Sequence, residues 1–293
     1  MTFFALLTKE MRLRMRQERT VWVLIIYVLL LGLLGWFYLS RSTSNGSSIS
    51  YDWNAIGTTL YQLLTLIQIV LTIFITPAFT SGAVNAEKEL KTYDMLLCSQ
   101  ISSFSLVAGK LIAGLSNVLL LIIATIPLFS LVFFFGGFTP LHILQDLAVF
   151  VITAAMIASF ALLCSTLFAK RAVSTAIAYM MVLLWLIGPF IYAYFVPVAM
   201  VRNQQMDQQY ILNILVWNPL VILSLNGGLF SYLSGNYIFA GIQIVPWLAY
   251  VGFSAMATLL FFLLSLCFVK PYLLSRIRAR FIAYRKHRRK RLD

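Results

Sequence analysis

Acidic side chains are scarce in this sequence, nine in 293 residues, yet Glu87, Glu89 and Asp94 fall within one short segment. They stand in Pro77–Lys110, PAFTSGAVNAEKELKTYDMLLCSQISSFSLVAGK, interleaved with Lys88 and Lys91. Leu90, Tyr93 and Leu97 recur at i, i+3 and i+7, so a short helix here carries one apolar face and a charged remainder. Such a helix, lying across a membrane surface at the base of a bundle, is suited to receiving force from a soluble partner. A second set of residues is polar but uncharged. Thr58, Gln62, Thr65, Gln68, Thr72 and Thr76 step by 4, 3, 3, 4 and 4, which places all six on one stripe of a helix. Hydrocarbon offers such groups no partners, so the stripe faces protein or a water-accessible path. Two uses fit: contact between helices, including one across a dimer axis, or the wall of a substrate path. A third set, Met181, Trp185 and Tyr192, belongs to an aromatic-rich stripe from Ser174 to Phe195. That stripe suits packing, and opposite a polar helix it would also suit an amphiphilic substrate.

Other chemistry is missing from the sequence. There is no phosphate-cradling GxxxxGK[ST] loop, no GxGxxG, and no Cys/His spacing suited to a metal. No ionisable residue falls near the centre of an apolar run, where one costs roughly 2.5–3.5 kcal/mol and is usually kept for ion or proton coupling. Proton- or sodium-driven transport, membrane proteolysis and redox chemistry are therefore disfavoured. Fuel has to come from a separate protein.

The elements that position these sets are membrane spans. With 61% hydrophobic and 11% charged residues, the chain carries more apolar surface than a soluble domain can bury. Six runs reach bilayer length: Val21–Leu39, Ile56–Phe79, Leu106–Phe135, Ile143–Phe168, Ala172–Met200 and Pro246–Val269. The first is read as a retained span, because it is too long for a signal peptide and lacks a small-residue cleavage site. Lysine and arginine set the orientation. Twenty lie in the N-terminal segment, the Pro77–Lys110 segment, the Lys170–Arg171 turn and the tail, against two, Arg41 and Arg202, on the other side. Both termini and the Pro77–Lys110 segment are thus expected in the cytoplasm. The net charge of +13 is mostly this topology signal, and nothing else indicates nucleic acid. Cys98, Cys164 and Cys267 fall near the cytoplasmic face and are expected to stay reduced.

The Pro77–Lys110 segment resembles the stretch between the second and third membrane helices of ABC-2-type transporter permeases. The matching positions are Pro77, Glu87 and Glu89, Thr92, Leu96 and Leu97, Ser102, and Gly109 with Lys110. Where the family often has Arg-Gly before the Thr, this chain has Leu90 and Lys91; where it often has Pro after the Leu pair, this chain has Ser99 and Gln100. The resemblance implies a coupling helix in which Glu87, Glu89, Thr92, Asp94, Leu96 and Leu97 engage a cytosolic ABC ATP-binding subunit. It also implies that the second and fifth helices line the substrate path, and that a second permease copy or a related permease completes the transporter. ATP and Mg would be bound by the partner ATPase, leaving this chain without a cofactor of its own.

The remaining segments fit one domain, residues 1–293, of an all-α integral membrane protein. Residues 1–19 form an amphipathic interfacial helix, with Phe4, Leu7, Met11 and Met15 on one face and Lys9, Arg12, Arg16 and Arg19 on another. It reads as a membrane anchor, or as an elbow that also touches the ATPase. Pro127 is expected to kink the third span, and Pro189 and Pro197 to break the outer half of the fifth. Asp146 lies near the outer end of the fourth. Ile211–Leu225 and Leu229–Ile244 are apolar but short, so external re-entrant or interfacial helices fit better than two more crossings. The basic tail, 270–293, suits anionic lipid headgroups or a cytosolic partner. The expected location is a bacterial inner membrane, as a multi-pass protein. Three functions remain in view: the permease of an ATP-driven exporter, a non-transporting sensor or scaffold that recruits an ATPase, and an ATP-independent channel or scramblase.

Overall fold

Long apolar runs without charge satisfy their backbone in lipid by forming helices, and among the described residues six helices are long and apolar enough to cross a membrane. The structure is a computed structural model that describes residues 18–44, 53–90, 102–136, 139–200, 215–226, 237–239 and 242–269. Its elements are α1 (Glu18–Ser44), α2 (Trp53–Thr80), α3 (Asn85–Glu89), α4 (Ser103–Ala124), α5 (Ile126–Phe135), α6 (Pro140–Leu167), α7 (Arg171–Met200), α8 (Pro219–Asn226), β1 (Tyr237–Phe239), β2 (Ile242–Ile244) and α9 (Pro246–Val269). The six spans are α1, α2, the α4–α5 pair, α6, α7 and α9. Most of the interfacial helix expected over residues 1–19, and the tail, lie outside the described residues.

The bundle is built around α6. Two-thirds of its most apolar window, 67%, is buried, against 11% for α1 and for α9, so α6 is the central helix and those two face outward. α6 packs most extensively on α9 and also against α2, α4 and α7. Tyr61, Ile69, Phe129, Phe150, Ile157 and Tyr250 are among the core residues. Tyr250 and Thr153 share a hydrogen bond of 2.7 Å, and the rings of Phe160 and Phe261 meet edge to face at 5.1 Å.

Proline shapes the spans unevenly. The third breaks at Thr125, two residues before Pro127, where the ring removes a backbone donor and crowds the preceding turn. Thr125 bridges the break by donating from Oγ1 to the Ile122 carbonyl at 2.7 Å. The expected break in the fifth span does not occur, since α7 runs unbroken through Pro189 and Pro197. Neighbouring helices and small local adjustments let membrane helices carry proline in this way. Pro77 likewise sits inside α2.

The segment between α7 and α9 differs in part from expectation. Its first apolar run yields α8, eight residues long, packed against α2, α6 and α9. At about 12 Å it is too short to cross a bilayer. The second run, expected to be helical, contains an antiparallel hairpin pairing Tyr237 with Ile244 and Phe239 with Ile242. Its Tyr, Ile and Phe residues favour strands, which accounts for the difference.

At the end opposite α3, the start of α2 meets the end of α5 closely. Gly136 has φ of +83°, and a Cβ there would lie 2.6 Å from Asn54 Oδ1. A Cβ on Gly57 would lie 2.6 Å from the Gly136 carbonyl oxygen.

Candidate functional site

After Thr80 the chain turns through Ser81–Val84 and forms α3, only five residues long. So short a helix has more unsatisfied terminal groups than internal bonds and depends on its surroundings. The C-terminal end of α6 supplies them. Ser165 Oγ accepts hydrogen bonds from the backbone N–H of Val84 at 3.0 Å and of Asn85 at 3.1 Å. Asn85 is fully buried; with its amide nitrogen turned toward α6 it donates to the carbonyls of Ser165 and Phe168 at 2.5 and 2.7 Å. Lys88 Nζ donates to the Thr166 carbonyl at 2.6 Å and to those of Ser165 and Phe168 at 3.3 Å. The last carbonyls of a helix lack intrahelical partners and carry its negative pole, so an ammonium group is favoured there.

Two further spans hold the same short helix. Lys110, in the second turn of α4, is buried beneath it and donates to Glu87 Oε1 and to the Ala83 carbonyl, each at 2.8 Å. Glu89 Oε1 accepts from the backbone N–H of Arg171 at 2.9 Å, placing a carboxylate on the N-terminus of α7. The turn before α3 is also tied to α7: Ser174 Oγ donates to the Ser81 carbonyl at 3.0 Å, and Ser81 and Thr175 share a hydroxyl contact of 2.8 Å. The glycine at 82 makes room for the Arg171 side chain, whose Nε would lie 2.6 Å from a Cβ there. Leu90, 73% exposed, follows α3 at the surface. Thr92, Asp94, Leu96 and Leu97 lie outside the described residues.

The polar stripe of α2 points into the chain. Thr65, Gln68, Thr72 and Thr76 are buried, whereas Thr58 and Gln62 are half-buried. Several threonines satisfy their hydroxyls on their own helix: Thr58 donates to the Ala55 carbonyl at 2.9 Å, Thr72 to Gln68 at 2.9 Å and Thr76 to Thr72 at 2.6 Å. Met181 and Tyr192 are exposed and Trp185 is half-buried. Met181 and Trp185 border an apolar groove shared with Phe160 of α6 and Phe253 and Phe261 of α9. Tyr192 borders a separate apolar surface along α7, with Ile187 and Ile191. The α2 and α7 helices do meet, but through Tyr179, which donates to the Phe74 carbonyl at 2.8 Å, and through the serines near α3. Within one chain, the polar stripe and the Met181–Tyr192 face are therefore not brought together.

Sequence reasoning missed Asn85, Lys88 and Ser165 as a group. Ser165 is one hydroxyl in an apolar span, and only its closeness to the Lys170–Arg171 turn hinted that it stands at a helix end. Asp146 lies in the N-terminal part of α6, where it is fully enclosed and accepts from the Tyr61 hydroxyl at 2.6 Å.

Six membrane-length helices among the described residues, with α6 buried at their centre and a short charged helix keyed in after the second, define a multi-pass membrane protein. Over residues 4–276 the chain matches the family described as ABC-2 family transporter protein, and it belongs to that family. It is thus a membrane transport component, the permease of an ABC transporter. No curated protein matches it.

Proposed function

We propose that this chain is the permease subunit of an ATP-driven exporter of an amphiphilic or polymeric substrate, such as a lipid, polysaccharide, peptide or drug. A cytosolic ABC ATP-binding subunit holds ATP and Mg and presses on α3 and the residues after it, Thr92, Asp94, Leu96 and Leu97 included. The membrane is a bacterial inner membrane, and the twenty-to-two distribution of basic residues supports a cytoplasmic position for that end of the bundle. A second copy, or a related permease, completes the path. Thr58, Gln62, Thr65, Gln68, Thr72 and Thr76 and the face of Met181, Trp185 and Tyr192 are its walls. They come together when α2 and α7 shift during the cycle or when two subunits pair. On this reading α8 dips back into the membrane from outside, and the basic tail rests on anionic lipid.

One observation carries the proposal. A five-residue helix with an exposed tip is bonded to the ends of α4, α6 and α7 by Glu87, Lys88 and Glu89. Push or pull on that helix has direct ties through which to reach the spans.

Mild detergent extraction from the native host tests it. An ABC ATPase should co-purify at one copy per permease, and Glu87→Lys with Glu89→Lys should release it or abolish transport-linked hydrolysis. A chain that emerges alone under several mild conditions, or a double variant that behaves as wild type, overturns the proposal. An ATPase that binds without any ATP-driven movement of the spans identifies a scaffold instead.

A further inference from the structure

α3 and α6 are far apart in sequence, yet each completes the other. Ser165 Oγ serves the first N–H groups of α3, and Asn85 and Lys88 serve the last carbonyls of α6. The donors left over at one helix start and the acceptors left over at one helix end are satisfied reciprocally, away from water. Asn85 and Ser165 are both fully buried. Unmaking such a joint would leave enclosed amides and carbonyls without partners, so it resists opening more than its individual bonds suggest. The link from α2 to α3, by contrast, is a turn, the Glu89 tie to α7 is exposed, and the buried tie to α4 rests on the single side chain of Lys110, where the tie to α6 draws on Asn85, Lys88 and Ser165 together.

We propose that α3 and the C-terminal end of α6 form one mechanical unit, clasped by Asn85, Lys88 and Ser165, so that load on α3 enters the bundle through α6. From there it passes to α9, the helix that α6 packs against most extensively. Asn85, Lys88 and Ser165 are positioning residues, since their effect is on where the α3 push is delivered. This rests on the reading of α3 as the point where a cytosolic ATPase acts, but the clasp itself can be tested without it.

Two measurements decide the matter. In the purified chain without nucleotide, hydrogen exchange of the Val84 and Asn85 amides should become about tenfold faster in Ser165→Ala, and Ser165→Thr should restore protection. Lys88→Met should loosen the last turn of α6 in the same way. Unchanged exchange in both variants overturns the clasp, whatever drives the protein. In the complex from the native host, spin labels at Leu90→Cys and Leu167→Cys, with the native cysteines replaced, should both shift when Mg-ATP and vanadate are added. In Lys88→Met or Ser165→Ala, the label at 90 should still shift while the one at 167 stays still. If both labels still move together in these variants, the load path through α6 is wrong. A label at 90 that is silent to nucleotide in the otherwise wild-type complex overturns the ATPase reading instead, and exchange alone then judges the clasp.

Discussion

Lys110 shows how little a residue's type says about its work until its neighbours are known. In the sequence it closes a motif and adds one charge to the cytoplasmic count; in the structure it is a buried cation between Glu87 and the Ala83 carbonyl. Removing one member of a buried pair strands the other, at about 3 kcal/mol. Lys110→Met should therefore lower the melting temperature markedly, and adding Glu87→Gln should recover most of the loss; thermal scans of the purified protein compare the two. The same reasoning applies to Tyr61, which donates to Asp146 inside the bundle. Tyr61→Phe should cost about 2 kcal/mol, read in the same scans. Gly136→Ala should also destabilise, by about 1–3 kcal/mol, because its φ of +83° belongs to glycine.

Helices were largely legible in the sequence because lipid leaves an apolar run few alternatives, and the six spans fall where the runs do. The kink near Pro127 was legible for the same covalent reason. Pro189 was misread because a membrane helix can accommodate proline when its packing allows, and packing is not written locally. The hairpin at Tyr237–Ile244 was misread because a short apolar run carries no clear period. The α3 site was half legible. Its acids were conspicuous by their rarity, whereas Ser165 could not be found without knowing that two helix ends meet. Pro127→Ala restores the missing donor, so α4 and α5 should run together. Labels at Ile112 and Phe134, both exposed, should then move apart toward the roughly 33 Å of a straight helix, as measured by electron–electron spin resonance.

At the scale of the molecule, orientation is the property most open to test. Thr139 and Leu90 stand at opposite ends of the bundle and are both exposed. In a cysteine-free background, an impermeant maleimide should reach Leu90→Cys only from the cytoplasmic side and Thr139→Cys only from the outer side. The reverse pattern would contradict the distribution of basic residues. Hydrogen bonds tie α6 to α2, α3 and α9, and α6 is the fourth span to be made. Until it arrives, a nascent chain carries the first turn of α3 uncapped and Tyr61 without its acceptor. A chain that stops short of α6 should therefore hold α2 and α3 less firmly than the finished protein does.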